Sequence, residues 1–147
     1  MPRPRLSPEV FALPVERLRE GYYSDAYFNG AKRVLEAKDL HPRVTMQIFQ
    51  KTAGAVLGGM DEALAILRLC SGRFRTEGGE RVWVDGWDRL VVHALRDGDD
   101  LAPWETVLTI EGDYSLFAHL ETVYLGVLSR RTLISSNVRR VVEAARG

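Results

Sequence analysis

Cysteine is almost missing from this sequence: Cys70 is the single one. One thiol excludes an intrachain disulfide and a cysteine metal cage. Histidine is nearly as scarce. His41, His93 and His119 are scattered without the spacing of metal ligands, and each reads as structural. There is no Gly-x-Gly-x-x-Gly and no Walker pattern. Asp97, Asp99 and Asp100 lack the ligand spacing of an EF-hand, and a hairpin turn accounts for them. No apolar run is long enough to cross a bilayer, and the N-terminus has no signal-peptide core, so a cytoplasmic location without membrane partners is the default expectation. Net charge is also missing, because 20 Lys and Arg balance 20 Asp and Glu. A general nucleic-acid binder is usually basic overall, so none is expected here, although a local anion site stays open. No internal repeat or low-complexity stretch is present.

What remains is a chain of 147 residues with 46% hydrophobic and 27% charged residues, enough for one soluble domain with a core. Residues 1–20 read as an irregular, proline-rich N-terminal arm with a short helical turn from Val15 to Glu20. Residues 21–147 read as the domain. Asp25 to Ala37 is predicted helical, with Ser24 or Asp25 as cap and Phe28, Ala31 and Leu35 on one side. His41-Pro42 follows its end. Arg43 to Phe49 alternates as a strand does. Gly58-Gly59 breaks the pattern before a helix over Met60 to Leu69, in which Cys70 is expected as a buried thiol. Those glycines read as a chain bend, or as a weak anion site at a helix start. Strands are predicted over Arg81 to Asp85, Asp88 to Leu95 and Thr106 to Glu111, the last with Leu108 and Ile110 inward. The stretch from Gly112 to Thr132 reads as one long helix, capped by Asp113 or Ser115 and ending near Arg130-Arg131, where cations suit the helix dipole. Ile134, Val138, Val141 and Ala145 continue the helical spacing. Helices, then strands, then helices predict an α+β domain with helices packed on a small, mostly antiparallel sheet.

Three segments together resemble the N-terminal domain of nicotinate phosphoribosyltransferase, within the nicotinate, nicotinamide and quinolinate phosphoribosyltransferase superfamily. The first is Tyr23-Ser24-Asp25-Ala26-Tyr27-Phe28, similar to the Thr-Asp-x-Tyr signature of the nicotinate and nicotinamide branches. The second is Val44 to Lys51 followed by Gly59-Met60-Asp61-Glu62-Ala63-Leu64. The third runs from Asp97-Gly98-Asp99 through Thr106 to Gly112 and on to Leu120-Glu121-Thr122-Val123-Tyr124-Leu125-Gly126-Val127-Leu128-Ser129-Arg130-Arg131-Thr132. Their order and spacing carry the resemblance from about Tyr22 onward. It implies the α+β fold of the N-terminal domain of type II phosphoribosyltransferases. In that family an incomplete α/β barrel follows and supplies most of the phosphoribosyl-pyrophosphate site. Without that barrel the chain is expected to be inactive alone: a truncated enzyme, a split subunit or an isolated domain.

The implied reaction joins nicotinate to the ribose carbon of phosphoribosyl pyrophosphate, giving nicotinate mononucleotide for NAD biosynthesis, with Mg2+ and coupled ATP implied by the family. A homodimer or a partner barrel domain is implied as well. Tyr27 matches the tyrosine that stacks on the pyridine ring, reaching into the neighbouring subunit. Packing beside Phe28 is its ordinary alternative. Asp25 is the motif acid and a helix cap at once. Lys51 falls where the family places a basic residue near the pyrophosphate, although Gln50 stands where an arginine is common. Arg130 and Arg131 are candidate contacts for an anion or a subunit. Glu121 replaces the arginine with which the quinolinate branch clamps a second carboxylate, and a glutamate repels a dicarboxylate, which favours nicotinate over quinolinate and leaves nicotinamide open. The competing expectation is a non-catalytic structural or binding module that assembles with a separate barrel. The strands from Arg81 to Glu111 resemble the small β-sandwich of biotin or lipoyl carriers, but Arg96-Asp97-Gly98 stands where the carrier lysine belongs.

Overall fold

The computed structural model describes residues 4–146. In chain order its elements are helix α1 (Val15–Arg19), helix α2 (Ala26–Ala37), strands β1 (Arg43–Phe49) and β2 (Ala55–Val56), helix α3 (Met60–Cys70), strands β3 (Gly72–Glu77), β4 (Glu80–Asp85), β5 (Val91–Ala94), β6 (Asp100–Leu101) and β7 (Thr106–Asp113), and helix α4 (Glu121–Arg146). Short 3-10 turns stand at Pro8–Phe11, Trp87–Arg89, Tyr114–Leu116 and Ala118–Leu120. The main sheet is antiparallel in the order β1-β7-β5, with two further two-stranded sheets, β2-β6 and β3-β4. The α+β expectation is met.

The core lies where the inner face of β7 meets α3 and the start of α4. Leu108 and Ile110 of β7, Met60, Ile66 and Leu67 of α3, Leu116, Phe117 and Leu120 of the 3-10 turns, and Tyr124 of α4 are all buried in it. The alternation read for β1 holds: Val44, Met46 and Ile48 turn inward and their neighbours outward. Strand β7 is central, so its partners on both sides satisfy its backbone. The segment read as an N-terminal arm touches this body. Leu18 is buried, and Arg5 donates to Asp61 at 2.9 Å and to the carbonyls of Ala94 and Leu95 at 3.0 and 2.9 Å.

Four readings of the sequence need correction. First, Gly112 to Thr132 is not one helix. Gly112 and Asp113 end β7, residues 114–120 form 3-10 turns, and α4 starts only at Glu121. The reason lies at Ser115. Asp113 Oδ1 accepts from Ser115 N–H at 2.9 Å and from its hydroxyl at 2.7 Å, while Lys32 Nζ donates to Ser115 C=O at 2.6 Å. Asp113 caps the turn, and the Lys32 bond occupies the Ser115 carbonyl, which an α-helix would pair with the N–H four residues on. Second, Arg130 and Arg131 therefore stand in the middle of α4, not at its C-terminal end, and the dipole argument for them lapses. Third, strand β3 went unread because it is rich in charge. It pairs with β4 through a hairpin whose Gly78 and Gly79 both have positive φ, and Phe74 meets Trp83 edge-on at 4.9 Å across the pair. Fourth, the strand expected from Asp88 begins later, at Val91, after the 3-10 turn of Trp87–Arg89.

Candidate functional site

The residues of the first motif assemble at the start of α2. Asp25 is its N-cap, with Oδ1 accepting the N–H of Tyr27 at 2.8 Å. Its own N–H donates to Thr122 Oγ1 at 3.0 Å, on the first turn of α4. This bond ties the first motif to the third, 97 residues away in sequence. The cap also sets the direction of Tyr27, whose ring meets Phe28 edge-on at 5.3 Å yet stays 74% exposed. Its face is open to a ligand or a partner rather than spent on the core.

The other side of this corner comes from the 3-10 turn and the head of α4. Tyr114 donates its hydroxyl to Glu121 Oε2 at 3.3 Å. In an unbroken helix seven residues span about 10 Å of rise, too far for that bond; the change of direction between Tyr114 and Glu121 makes it reachable. Partial burial pushes the Glu121 carboxyl up from its ordinary range, and the Tyr114 hydrogen bond works against that rise. Burial, the nearby Glu121 charge and the neighbouring Tyr27 phenol push Tyr114 up to about 12. Among the described residues no cation forms an ion pair with Glu121.

The remaining sequence candidates lie elsewhere. Lys51 follows β1 at the end far from Asp113, about 20 Å along the strand. Its ammonium sits 5.7 Å from the ring centroid of exposed Trp104, itself 5.5 Å from Phe49. Arg130 is exposed and forms no ion pair among the described residues. Arg131 is paired with Glu62 of α3, roughly 15 Å along α4 from Glu121. Within one chain, then, Tyr27 and Asp25 come together, while Lys51 and the arginine pair do not join them. The Gly58-Gly59 bend is filled from within: Asp97 accepts from Met60 N–H at 2.7 Å and from Asp61 N–H at 3.0 Å, supplying the anion that the start of α3 favours. A Cβ on Gly58 would come within 2.8 Å of the Arg131 carbonyl, so the bend is also where α4 crosses.

Tyr114, Thr122 and Lys32 escaped the sequence reading. Lys32 sits on the helix face read as apolar, buried to 8% exposure, and donates to Gly72 C=O at 2.8 Å as well as to Ser115. Burial lowers its pKa, partly offset by Glu36 at 3.2 Å. It rivets α2 to the turn that carries Tyr114. Cys70 is buried as expected, its thiol pushed up to about 11 by burial.

Comparison with known proteins bears on the fold and the family. One solved structure, a nicotinate-nucleotide pyrophosphorylase from Pyrococcus furiosus, is similar at 27% sequence identity and a TM-score of 0.57. The similarity covers 87% of this chain and 28% of that one, so the chain spans just over a quarter of its length. A search of curated proteins finds no match. The family model described as quinolinate phosphoribosyl transferase, N-terminal domain, matches residues 25–132. That span opens at the Asp25 cap and includes Tyr114, Glu121 and Thr122, and on it the chain belongs to the quinolinate phosphoribosyl transferase N-terminal domain family.

Proposed function

We propose that this chain supplies the pyridine-contacting corner of a nicotinate phosphoribosyltransferase, one that makes nicotinate mononucleotide from nicotinate and phosphoribosyl pyrophosphate in NAD biosynthesis. The observation that carries the reading is the pairing of an exposed, capped Tyr27 with Glu121 across the Asp25–Thr122 bond. In the reaction the pyridine nitrogen forms a bond to the ribose carbon, the carbon–oxygen bond to pyrophosphate breaks, and the electron pair leaves with pyrophosphate. A flat aromatic face held at a fixed angle orients the ring for that displacement. The Glu121 carboxylate disfavours the second carboxylate of quinolinate, which supports nicotinate as the substrate.

The exposure of Tyr27 suits a site completed by a second body, either a neighbouring subunit of a homodimer or a barrel domain. Lys51 and Arg130 are exposed and unpaired by acids among the described residues, which suits them to phosphate groups on such a body. Arg131 is the weaker candidate because Glu62 holds it. Mg2+ and ATP are implied by the family resemblance, and no residue of this chain is proposed as their ligand. The second reading, a non-catalytic module docked on a separate barrel, is favoured by the apolar face that α4 leaves exposed at Ile134, Val138 and Val141.

The test is nicotinate mononucleotide formation by the chain alone and after mixing with a barrel domain of the family. Activity in the mixture, with Tyr27→Ala raising the KM for nicotinate at least about tenfold and lowering kcat, is the expected result, one stacking contact plus lost orientation. Full activity in Tyr27→Ala removes Tyr27 from the site. Assembly without activity favours the non-catalytic module.

A further inference from the structure

The Tyr114–Glu121 hydrogen bond joins the 3-10 turn to the head of α4. Tyr114 is fixed from several sides. Its backbone N–H donates to Pro42 C=O at 3.0 Å, and its ring meets Phe117 edge-on at 5.4 Å. The next residue, Ser115, is locked by Asp113 and by buried Lys32. Glu121, in contrast, carries a long side chain with several rotatable bonds, and its one hydrogen-bond partner through the carboxylate among the described residues is the Tyr114 hydroxyl. A rigid donor thus anchors a flexible acceptor.

The consequence depends on charge. Partial burial favours the neutral form of Glu121, and a neutral carboxyl has no repulsion to offer a second carboxylate. A phenol that donates to the carboxylate stabilises the ionised form without cancelling its charge. An ammonium or guanidinium in the same place would neutralise it. The groups next to Glu121 fit this purpose: Tyr114 and Tyr124 are both phenols, and the neighbouring Thr122 is bonded to an acid, Asp25.

Resting on the nicotinate reading above, we propose that Tyr114 is a positioning residue for substrate selectivity: its hydroxyl holds the Glu121 carboxylate in place beside the start of α2, so that a pyridine bearing a second carboxylate is turned away. Tyr114 touches no reacting atom in this scheme. It acts through Glu121.

The test uses the catalytically competent protein with Tyr114→Phe, which keeps the ring packing and removes only the hydroxyl. Quinolinate is added as a competitor of nicotinate. Its inhibition constant should fall about tenfold in the variant, the size of one hydrogen bond to a charged group, while kcat with nicotinate is kept. Glu121→Gln should lower it at least as far, and adding Tyr114→Phe to Glu121→Gln should change nothing more. In parallel, carboxyl NMR titration of the chain should find Glu121 titrating at higher pH in Tyr114→Phe. An unchanged inhibition constant alongside normal nicotinate turnover overturns the role of Tyr114 and leaves the enzyme reading intact, as does an unchanged Glu121 titration. Absence of transfer to nicotinate in the unaltered protein overturns the enzyme reading and this inference together.

Discussion

At the scale of single residues, His119 shows how placement changes chemistry. Its ring is buried, Nε2 lies 3.1 Å from Cys70 C=O, and Nδ1 has no partner among the described residues. Burial first, and the nearby Lys32 charge second, push its pKa down to about 3. Between that value and the ordinary value near 6.5, the unfolded chain binds a proton that the native chain refuses. Stability therefore falls as pH drops through this window, by at most about 1.4 kcal/mol per unit. His119→Gln should flatten the fall between pH 6.5 and 4 in urea unfolding, and an unchanged slope would refute the assignment. His41 acts with the opposite sign. Asp39 and Asp113 hold its pKa up, so its contribution is full below the ordinary histidine pKa and is lost as pH rises through the folded value. The sequence marked both residues only as structural histidines. Burial and the distant Lys32 lower His119, whereas His41 is raised by Asp39, two positions away, and by Asp113, 72 positions away.

At the scale of elements, the start of α3 depends on a loop far along the sequence. Gly59 at the N-cap has no side chain to offer, so Asp97 reaches across and takes two of the free N–H groups. Asp97→Ala should cost about 1–2 kcal/mol in chemical denaturation, as loss of a cap does, and amide exchange at Met60 and Asp61 should quicken. Loss of stability without faster exchange there would place the effect elsewhere. The sequence reading found α3 and found the acidic turn as separate features. Their joining is a contact between residues 36 and 37 apart, which no local pattern encodes. The same limit explains the misread helix from Gly112. Leu116 and Leu120 do keep helical spacing and are both buried, but Lys32 takes the carbonyl of Ser115 just before them and the chain runs through two 3-10 turns instead.

At the scale of the molecule, the second half of α4 extends beyond the core. Ile134, Val138 and Val141 are 51%, 56% and 68% exposed. Beside it runs a groove of about 700 Å³ lined by Ile48, Leu101, Val107, Leu128 and Arg139, among others. So large an apolar face is expected to bind a hydrophobic dye or drive self-association in the isolated chain. Replacing Ile134, Val138 and Val141 together by glutamine should lower dye fluorescence and shift the chain toward monomer. A monomeric, dye-negative starting protein would contradict the expectation. No helix among the described residues is long and apolar enough to cross a membrane.

The sequence by itself determined the elements whose signals are local. The Asp25 cap and the helix after it, the alternation of β1, and the inward Leu108 and Ile110 all follow from spacing and from backbone preference within a few residues. It also carried the ordered motifs from which family membership could be expected. Only the tertiary structure decided which of those motifs share a surface. The Asp25–Thr122 and Tyr114–Glu121 bonds build one corner, while Lys51 and Arg131 are held elsewhere by Trp104 and Glu62. The physical reason is that a side-chain hydrogen bond reaches about 3 Å. Whether two distant residues come that close depends on how helices and sheet pack around one core, and that packing is a property of the whole chain.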